Sequence, residues 1–263
     1  MVALSRDAGS PRAESLLALG NVSILEGTFA DEKILREGFR QCDGAYVNID
    51  GFNTGEKTEA NGHRMGAAIF TSGPYMEMAF SPMTPMVPTI EDGVMTWRVP
   101  LGKGAVVHVS LEDCSYYVRW LFDNPDRANG MDLEVAIEHV RYADLAAAFE
   151  KVTGHSAQYI DTDFDVYFGG PLNPAVDRPA GYNADPDDKS TMSFRESFTG
   201  FWNMWKYDVI KRGFALLDEI HPNRIKTVEQ WLLRQEELGR ERGTGGGSGN
   251  DFSRKISTSP TPY

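Results

Sequence analysis

Hydrophobic residues in this chain fall into short continuous runs at first and into helical spacing further on. "VALS" (2–5), "NVSILEG" (21–27) and "GAYVNIDGF" (44–52) are apolar runs of strand length. Between them, "SPRAESLLALG" (10–20) sets Leu16, Leu17 and Leu19 before a closing Gly20. "ADEKILREGFRQCDG" (30–44) puts Ile34, Leu35, Gly38 and Phe39 on one helical face, behind an Asp31 suited to capping the first turn. Strand, helix, strand, helix and strand with short links form βαβ units, which imply a parallel, buried sheet. The pattern is half of a doubly wound sheet.

The pattern then breaks. "NTGEKTEANGHRMG" (53–66) holds Gly55, Gly62 and Gly66 with almost no apolar residue, and runs into the strand-like "AAIFTSGPY" (67–75). A parallel crossover normally carries a helix whose apolar face covers the sheet, so the sheet should be poorly covered there. "DGVMTWRVPLGKGAVVHVS" (92–110) predicts two strands joined by the Gly102–Gly104 turn. Ser110 and Asp113 read as a capping box for a helix with Cys114, Tyr117, Val118, Leu121 and Phe122 inward. "GMDLEVAIEHV" (130–140) alternates as a strand. "YADLAAAFEKVTG" (142–154) is a helix with Leu145, Phe149 and Val152 inward, closed by Gly154. "AQYIDTDF" (157–164) reads as a last short strand.

Residues 171–190, rich in Pro, Asn and Asp, read as a loop. Ser193 and Glu196 then cap a helix along which Phe194, Phe198, Phe201, Trp202, Trp205 and Val209 recur; such a stripe is a core signature before it is a cofactor box. Thr227 and Gln230 start a final helix with Val228, Trp231 and Leu232 inward. Residues 243–263 have the composition of a flexible tail. Its glycines lack the strand, helix and lysine of a phosphate loop.

Composition narrows the function classes. The net charge of -12 argues against nucleic acid and anionic membranes, both of which demand a basic face. Cys42 and Cys114 form no CxxC, so neither a disulfide framework nor a cysteine zinc site is expected. No apolar run approaches the ~20 residues of a membrane span. Arg6, Asp7, Arg12 and Glu14 stand where a signal peptide would need an apolar stretch. The expected location is the cytoplasm.

Ligands of doubly wound sheets bind beyond the carboxyl ends of the strands. Beyond the first lies Ser5–Arg6, where an arginine suits the ribose 2′-phosphate of NADP or is a solvated turn residue. Beyond the second, Gly27, Thr28 and Phe29 offer small and apolar groups to an adenine ring. Beyond the third, Ile49, Asp50, Gly51, Phe52 and Asn53 would follow the nicotinamide half. The five histidines show no HExxH and no ligand spacing, so no metal site is expected. Asp161, Asp163 and Asp165 lack the glycine and distal glutamate of a calcium loop and read as surface charge. The Tyr-x-x-x-Lys pair of short-chain reductases is missing from the middle of the chain, so no catalytic residue is assigned.

Residues 3–59 closely resemble the front of the NmrA-like proteins, atypical short-chain dehydrogenases related to the fungal nitrogen metabolite repression regulator. "FTSGPYMEM", "DLEVAIEHVRYADLAAAFEKVTG" and "GFWNMWKYDVIKRGFALLDEIHPNRIKTVEQWL" are similar to later parts of fungal members, so the likeness spans nearly all of residues 2–235. It implies an α/β fold: an incomplete Rossmann-like doubly wound parallel sheet with a smaller α+β C-terminal domain. The divisions would be an NAD(P)-binding part over 1–75, a substrate or partner region over 76–242, and a tail over 243–263. The implied cofactor is NADP, the implied partner a small-molecule substrate, and Gly73, Pro74, Tyr75 and Met76 would line the substrate cleft. Many fungal relatives are oxidoreductases of secondary-metabolite pathways; others bind the dinucleotide as redox-sensing regulators, with a protein partner and a nuclear location. Family members begin with a strand and a GxxGxxG turn whose amides hold the pyrophosphate, and carry a helix–strand–helix between positions matching Glu59 and Ala60. Against that pattern the chain reads as shortened at both places, so NADPH is expected to bind weakly or not at all, and an inactive truncated copy is an alternative to the enzyme and the regulator.

Overall fold

The computed structural model describes residues 1–28, 31–40, 42–47, 67–81, 84–170, 176–180 and 192–241. The chain divides into two compact units, residues 1–50 and 51–263.

In the first unit β1 (Val2–Ser5) pairs in parallel with β2 (Ser23–Glu26), in register from Val2 with Ser23 to Ser5 with Glu26. The connecting helix α1 (Pro11–Leu17) starts where Ser10 accepts the Ala13 N–H and Pro11 pre-sets the first turn. α2 (Glu32–Phe39) starts at Asp31, whose Oδ1 accepts from Lys33 N at 2.9 Å and Ile34 N at 3.2 Å, as the sequence predicted. A side chain at Gly27 would come within 2.8 Å of the Ile34 side chain, so glycine is what lets strand and helix close up. Two predictions need correction. Leu17, Leu19 and Phe39 are 44%, 63% and 47% exposed, so this unit's apolar faces are open, with Ala13 and Val22 its buried hydrophobics. The third strand does not form over 44–47, while 48–52 lie outside the described residues.

The second unit opens with β3 (Ile69–Thr71), a 3₁₀ turn over Met76–Ala79 and β4 (Thr89–Glu91). β5 (Val94–Val99) and β6 (Val106–His108) follow, then α3 (Leu111–Asp123), the short α4 (Pro125–Ala128), β7 (Asp132–Glu134) and β8 (Glu138–Val140). α5 (Tyr142–Thr153), β9 (Ala157–Asp161), α6 (Phe164–Gly169), α7 (Phe194–Lys206), α8 (Ala215–Ile220) and α9 (Val228–Glu241) complete it. β3 pairs in parallel with β7, β5 sits between antiparallel β4 and parallel β9, and β6 pairs with antiparallel β8. Asp92 and Gly93, both at positive φ, make the tight β4–β5 turn.

Several expectations shift here. The strands on either side of the Gly102–Gly104 turn exist but pair with other strands, because the turn packs against α7: a Cβ at Gly104 would stand 2.3 Å from the Trp205 carbonyl oxygen. The single strand expected over 130–140 is two, in different sheets. Ser110 makes no side-chain cap to α3. Asp113 instead turns away to accept the Ile225 N–H at 3.0 Å. Phe122 and Val209 are 46% and 66% exposed rather than inward. Asp161 and Asp163 are structural: Asp161 accepts from Gly102 N at 2.7 Å, and Asp163 caps α6.

The aromatic stripe of α7 is core, as expected. Trp202 and Trp205 are buried, behind a capping box of Ser193 and Glu196. At the centre Phe80 stacks on Trp231 (ring centroids 5.6 Å apart) and meets Trp97 edge-on at 5.5 Å. Edge and offset contacts of this kind add to the area these rings bury.

Candidate cofactor and substrate site

In the first unit the chain leaves β1 through a loop fixed by its own polar groups. Ser5 Oγ donates to the Asp7 carbonyl at 2.8 Å, Asp7 Oδ1 accepts from Gly9 N at 2.8 Å, and Ser10 Oγ returns to the Asp7 carbonyl at 2.9 Å. These bonds present exposed Arg6 at the carboxyl end of β1 and turn the Asp7 carboxylate onto backbone. An acid free at that place would favour a ribose hydroxyl; an arginine there favours a 2′-phosphate. Gly27 N bonds the Ser5 carbonyl at 2.8 Å, which brings the end of β2, with exposed Thr28, alongside. Phe29, Ile49, Asp50, Gly51 and Phe52 lie outside the described residues.

In the second unit β3 runs into Gly73–Met76, which adds itself to the edge of β6. Val109 N donates to the Pro74 carbonyl at 3.0 Å and Met76 N to the Val109 carbonyl at 2.8 Å. The approach is so close that a Cβ at Gly73 would stand 1.7 Å from the Val107 carbonyl oxygen. Tyr75 is 38% exposed, and Gly73 and Pro74 are half-buried. Met76 is fully buried in the core, so it supports the segment rather than lining a cleft.

Beneath this segment lies a polar pair that the sequence did not single out. His108 Nδ1 is 3.2 Å from the Pro74 carbonyl oxygen and Nε2 is 3.3 Å from the Tyr142 hydroxyl. A carbonyl only accepts, so Nδ1 is assigned the proton and Nε2 accepts from Tyr142. Complete burial pushes the His108 pKa down to about 4, so the ring is neutral at pH 7 and braces Gly73–Met76. Burial likewise pushes the Cys114 thiol up to about 12, which removes it as a nucleophile.

The parallel pair β3–β7 ends at Thr71 and Glu134. Glu134 Oε1 lies 2.8 Å from Nη1 of Arg212, whose side chain is only 5% exposed. Arg212 is held at its backbone, where its N–H donates to His139 Nε2 at 3.1 Å, and His139 meets Phe214 edge-on. No local motif announces Glu134 and Arg212, which lie 78 residues apart; the one signal was an arginine in a stretch otherwise suited to burial. Among the described residues no group of His, Cys, Asp and Glu could hold a metal ion, and no helix is long and apolar enough to cross a membrane.

Comparison with known proteins fits this frame. Residues 56–177 match the model of the NmrA-like family. No curated protein matches the chain. The structure of NmrA, a negative transcriptional regulator, in complex with NADP superposes with a TM-score of 0.61 at 13% identity, over 96% of this chain and 90% of that one. A monoclinic form of NmrA gives 0.63 at 12% identity, over 92% and 89%. The triphenylmethane reductase of Citrobacter sp., complexed with NADP(H), gives 0.52 at 12% identity, over 89% of each chain. Residues 56–177 are therefore similar to the NmrA-like family, and the fold of the chain is α/β and Rossmann-like, as its sequence led us to expect.

Proposed function

We propose that this protein is an NmrA-type, NADP-dependent oxidoreductase that acts on a small metabolite, in fungal secondary-metabolite biosynthesis and in the cytoplasm. The observation that carries the reading is Arg6, presented by a pinned loop at the carboxyl end of β1 with the neighbouring Asp7 carboxylate turned away. Arg6 meets the 2′-phosphate, Thr28 and Phe29 flank the adenosine, and Ile49 to Phe52 follow the nicotinamide side. NADPH, when bound, supplies a hydride. In the second unit Gly73, Pro74 and Tyr75, braced by neutral His108, form one wall for the substrate. The NADP complexes of NmrA and of the triphenylmethane reductase support the choice of cofactor. The test is NADPH oxidation by the purified chain against a panel of small carbonyl and unsaturated metabolites, read by loss of reduced-nicotinamide absorbance. Turnover of one compound that tracks enzyme concentration supports the reading, and no oxidation across the panel counts against it.

A second reading is a non-catalytic, NAD(P)-sensing regulator with a protein partner and a nuclear location. The missing Tyr-x-x-x-Lys pair favours it, as does an open hollow of about 540 Å³ where Tyr116, Trp120 and His221 meet charged Glu112, Arg119 and Asp123. Deleting residues 191–240 would then abolish the cellular effect while Arg6→Ala spares it.

A further inference from the structure

Arg212 is poorly explained by the packing around it. Its side chain is nine-tenths buried or more, yet Nε and Nη1 make no hydrogen bond among the described residues. Glu134 Oε1 is 2.8 Å from Nη1 but off the direction of its N–H, so the contact is an ion pair and not a hydrogen bond. Buried guanidinium donors are rarely left idle, since each carries the full desolvation penalty of the group. His139 does not relieve them: its Nε2 is already taken by the Arg212 backbone, and burial lowers its pKa. Lys211, the next residue, is paired with Asp208.

The place matters as much as the chemistry. Glu134 is the last residue of β7, level with the end of β3, and its side chain is 48% exposed. The ion pair therefore reaches solvent at the carboxyl edge of a parallel strand pair, the edge where doubly wound sheets take their ligands. A guanidinium grips a carboxylate or phosphate through two parallel bonds either from Nε with Nη2 or from Nη1 with Nη2, so each idle donor of Arg212 belongs to one such fork.

We infer that Arg212 is an oxyanion anchor and that Glu134 is its built-in competitor, lying against the guanidinium until a ligand oxyanion displaces it. The inference rests on the oxidoreductase reading and deepens it: the ligand beside Gly73–Tyr75 carries an acidic group. Its source is either a carboxylate or a phosphate of a small-molecule substrate.

The full chain, ¹⁵N-labelled at arginine, is titrated with benzoate and separately with pyrophosphate, following the Arg212 Nε resonance. One probe is expected to move that resonance saturably. Benzoate assigns the anchor to a substrate carboxylate, and pyrophosphate assigns it to a substrate phosphate. In Glu134→Gln the same probe binds several-fold tighter, because the competing charge is gone. Read by calorimetry, Arg212→Lys, which keeps the charge and loses the fork, binds it at least tenfold weaker than the parent. Arg212→Met should abolish calorimetric binding of that probe; if that variant does not fold, the lysine variant and the parent resonance decide. A resonance that neither probe moves, or equal affinity in Arg212→Lys and parent, overturns the inference. NADPH is titrated in parallel, so a chain that binds NADPH and ignores both probes sinks the anchor alone. A chain that answers benzoate and ignores NADPH sinks the cofactor reading alone.

Discussion

The carboxylate of Glu138 accepts the backbone N–H of Val228 at 2.6 Å, across 90 residues of sequence. Val228 opens α9, where Thr227 accepts the Gln230 N–H, so Glu138 satisfies a further first-turn N–H of that helix. Burial, the largest influence on it, raises the Glu138 pKa, against the lowering by the Val228 bond. Glu138→Ala should therefore destabilise the chain by about 1 kcal/mol, a typical cap loss. Glu138→Gln keeps the acceptor and should cost less. The sign with pH follows from the raised pKa: the favourable share of the group is full below its unfolded pKa and shrinks as pH rises through the folded value. The glutamine variant should thus gain on the parent between pH 4 and pH 7, as read by urea unfolding at both.

His108 works in the other direction. Its folded pKa of about 4 lies below the ordinary 6.5, so the unfolded chain takes up a proton that the folded chain refuses. The associated stability is present above pH 6.5 and is lost as pH falls toward 4. Between pH 7 and pH 5 the loss should be about 2 kcal/mol, from the standard 1.36 kcal/mol per pKa unit. His108→Gln should flatten this slope, and comparing urea midpoints of parent and variant at the two pH values isolates it. An unchanged slope would mean that the ring is not held neutral.

Gly73 tolerates no side chain. With the Val107 carbonyl oxygen 1.7 Å from where a Cβ would lie, Gly73→Ala must push the segment off β6. The cost is that of overpacking, about 1–3 kcal/mol. The displacement should also perturb the His108 to Pro74 contact, visible as a changed imidazole resonance. A variant with parental stability and an unmoved resonance would contradict the close approach.

How much of this was legible beforehand depended on whether the signal was local. Asp31, Ser193 and Thr227 cap their helices as read, because a cap and the N–H it accepts lie within three residues. Ser110 misled for the complementary reason: its expected partner Asp113 accepts from Ile225, a contact that no window of sequence contains. The strand at 130–140 split because Leu133 and Val140 belong to different sheets, while the intervening buried residues continue the apolar pattern. Arg6 was visible as a residue type at a strand end. Arg212 and Glu134 were not, since their meeting depends on how α7 and α8 return to β7.

The most direct test of the cofactor reading is calorimetric titration of the full chain with NADPH and NADH, repeated on Arg6→Ala. The parent should bind NADPH more tightly than NADH. Arg6→Ala should weaken NADPH by about 1.5–3 kcal/mol, the share of a hydrogen bond to a charged group, and leave NADH nearly unchanged. No binding of either nucleotide, or a preference that survives the loss of Arg6, would contradict the assignment of this strand end to the 2′-phosphate.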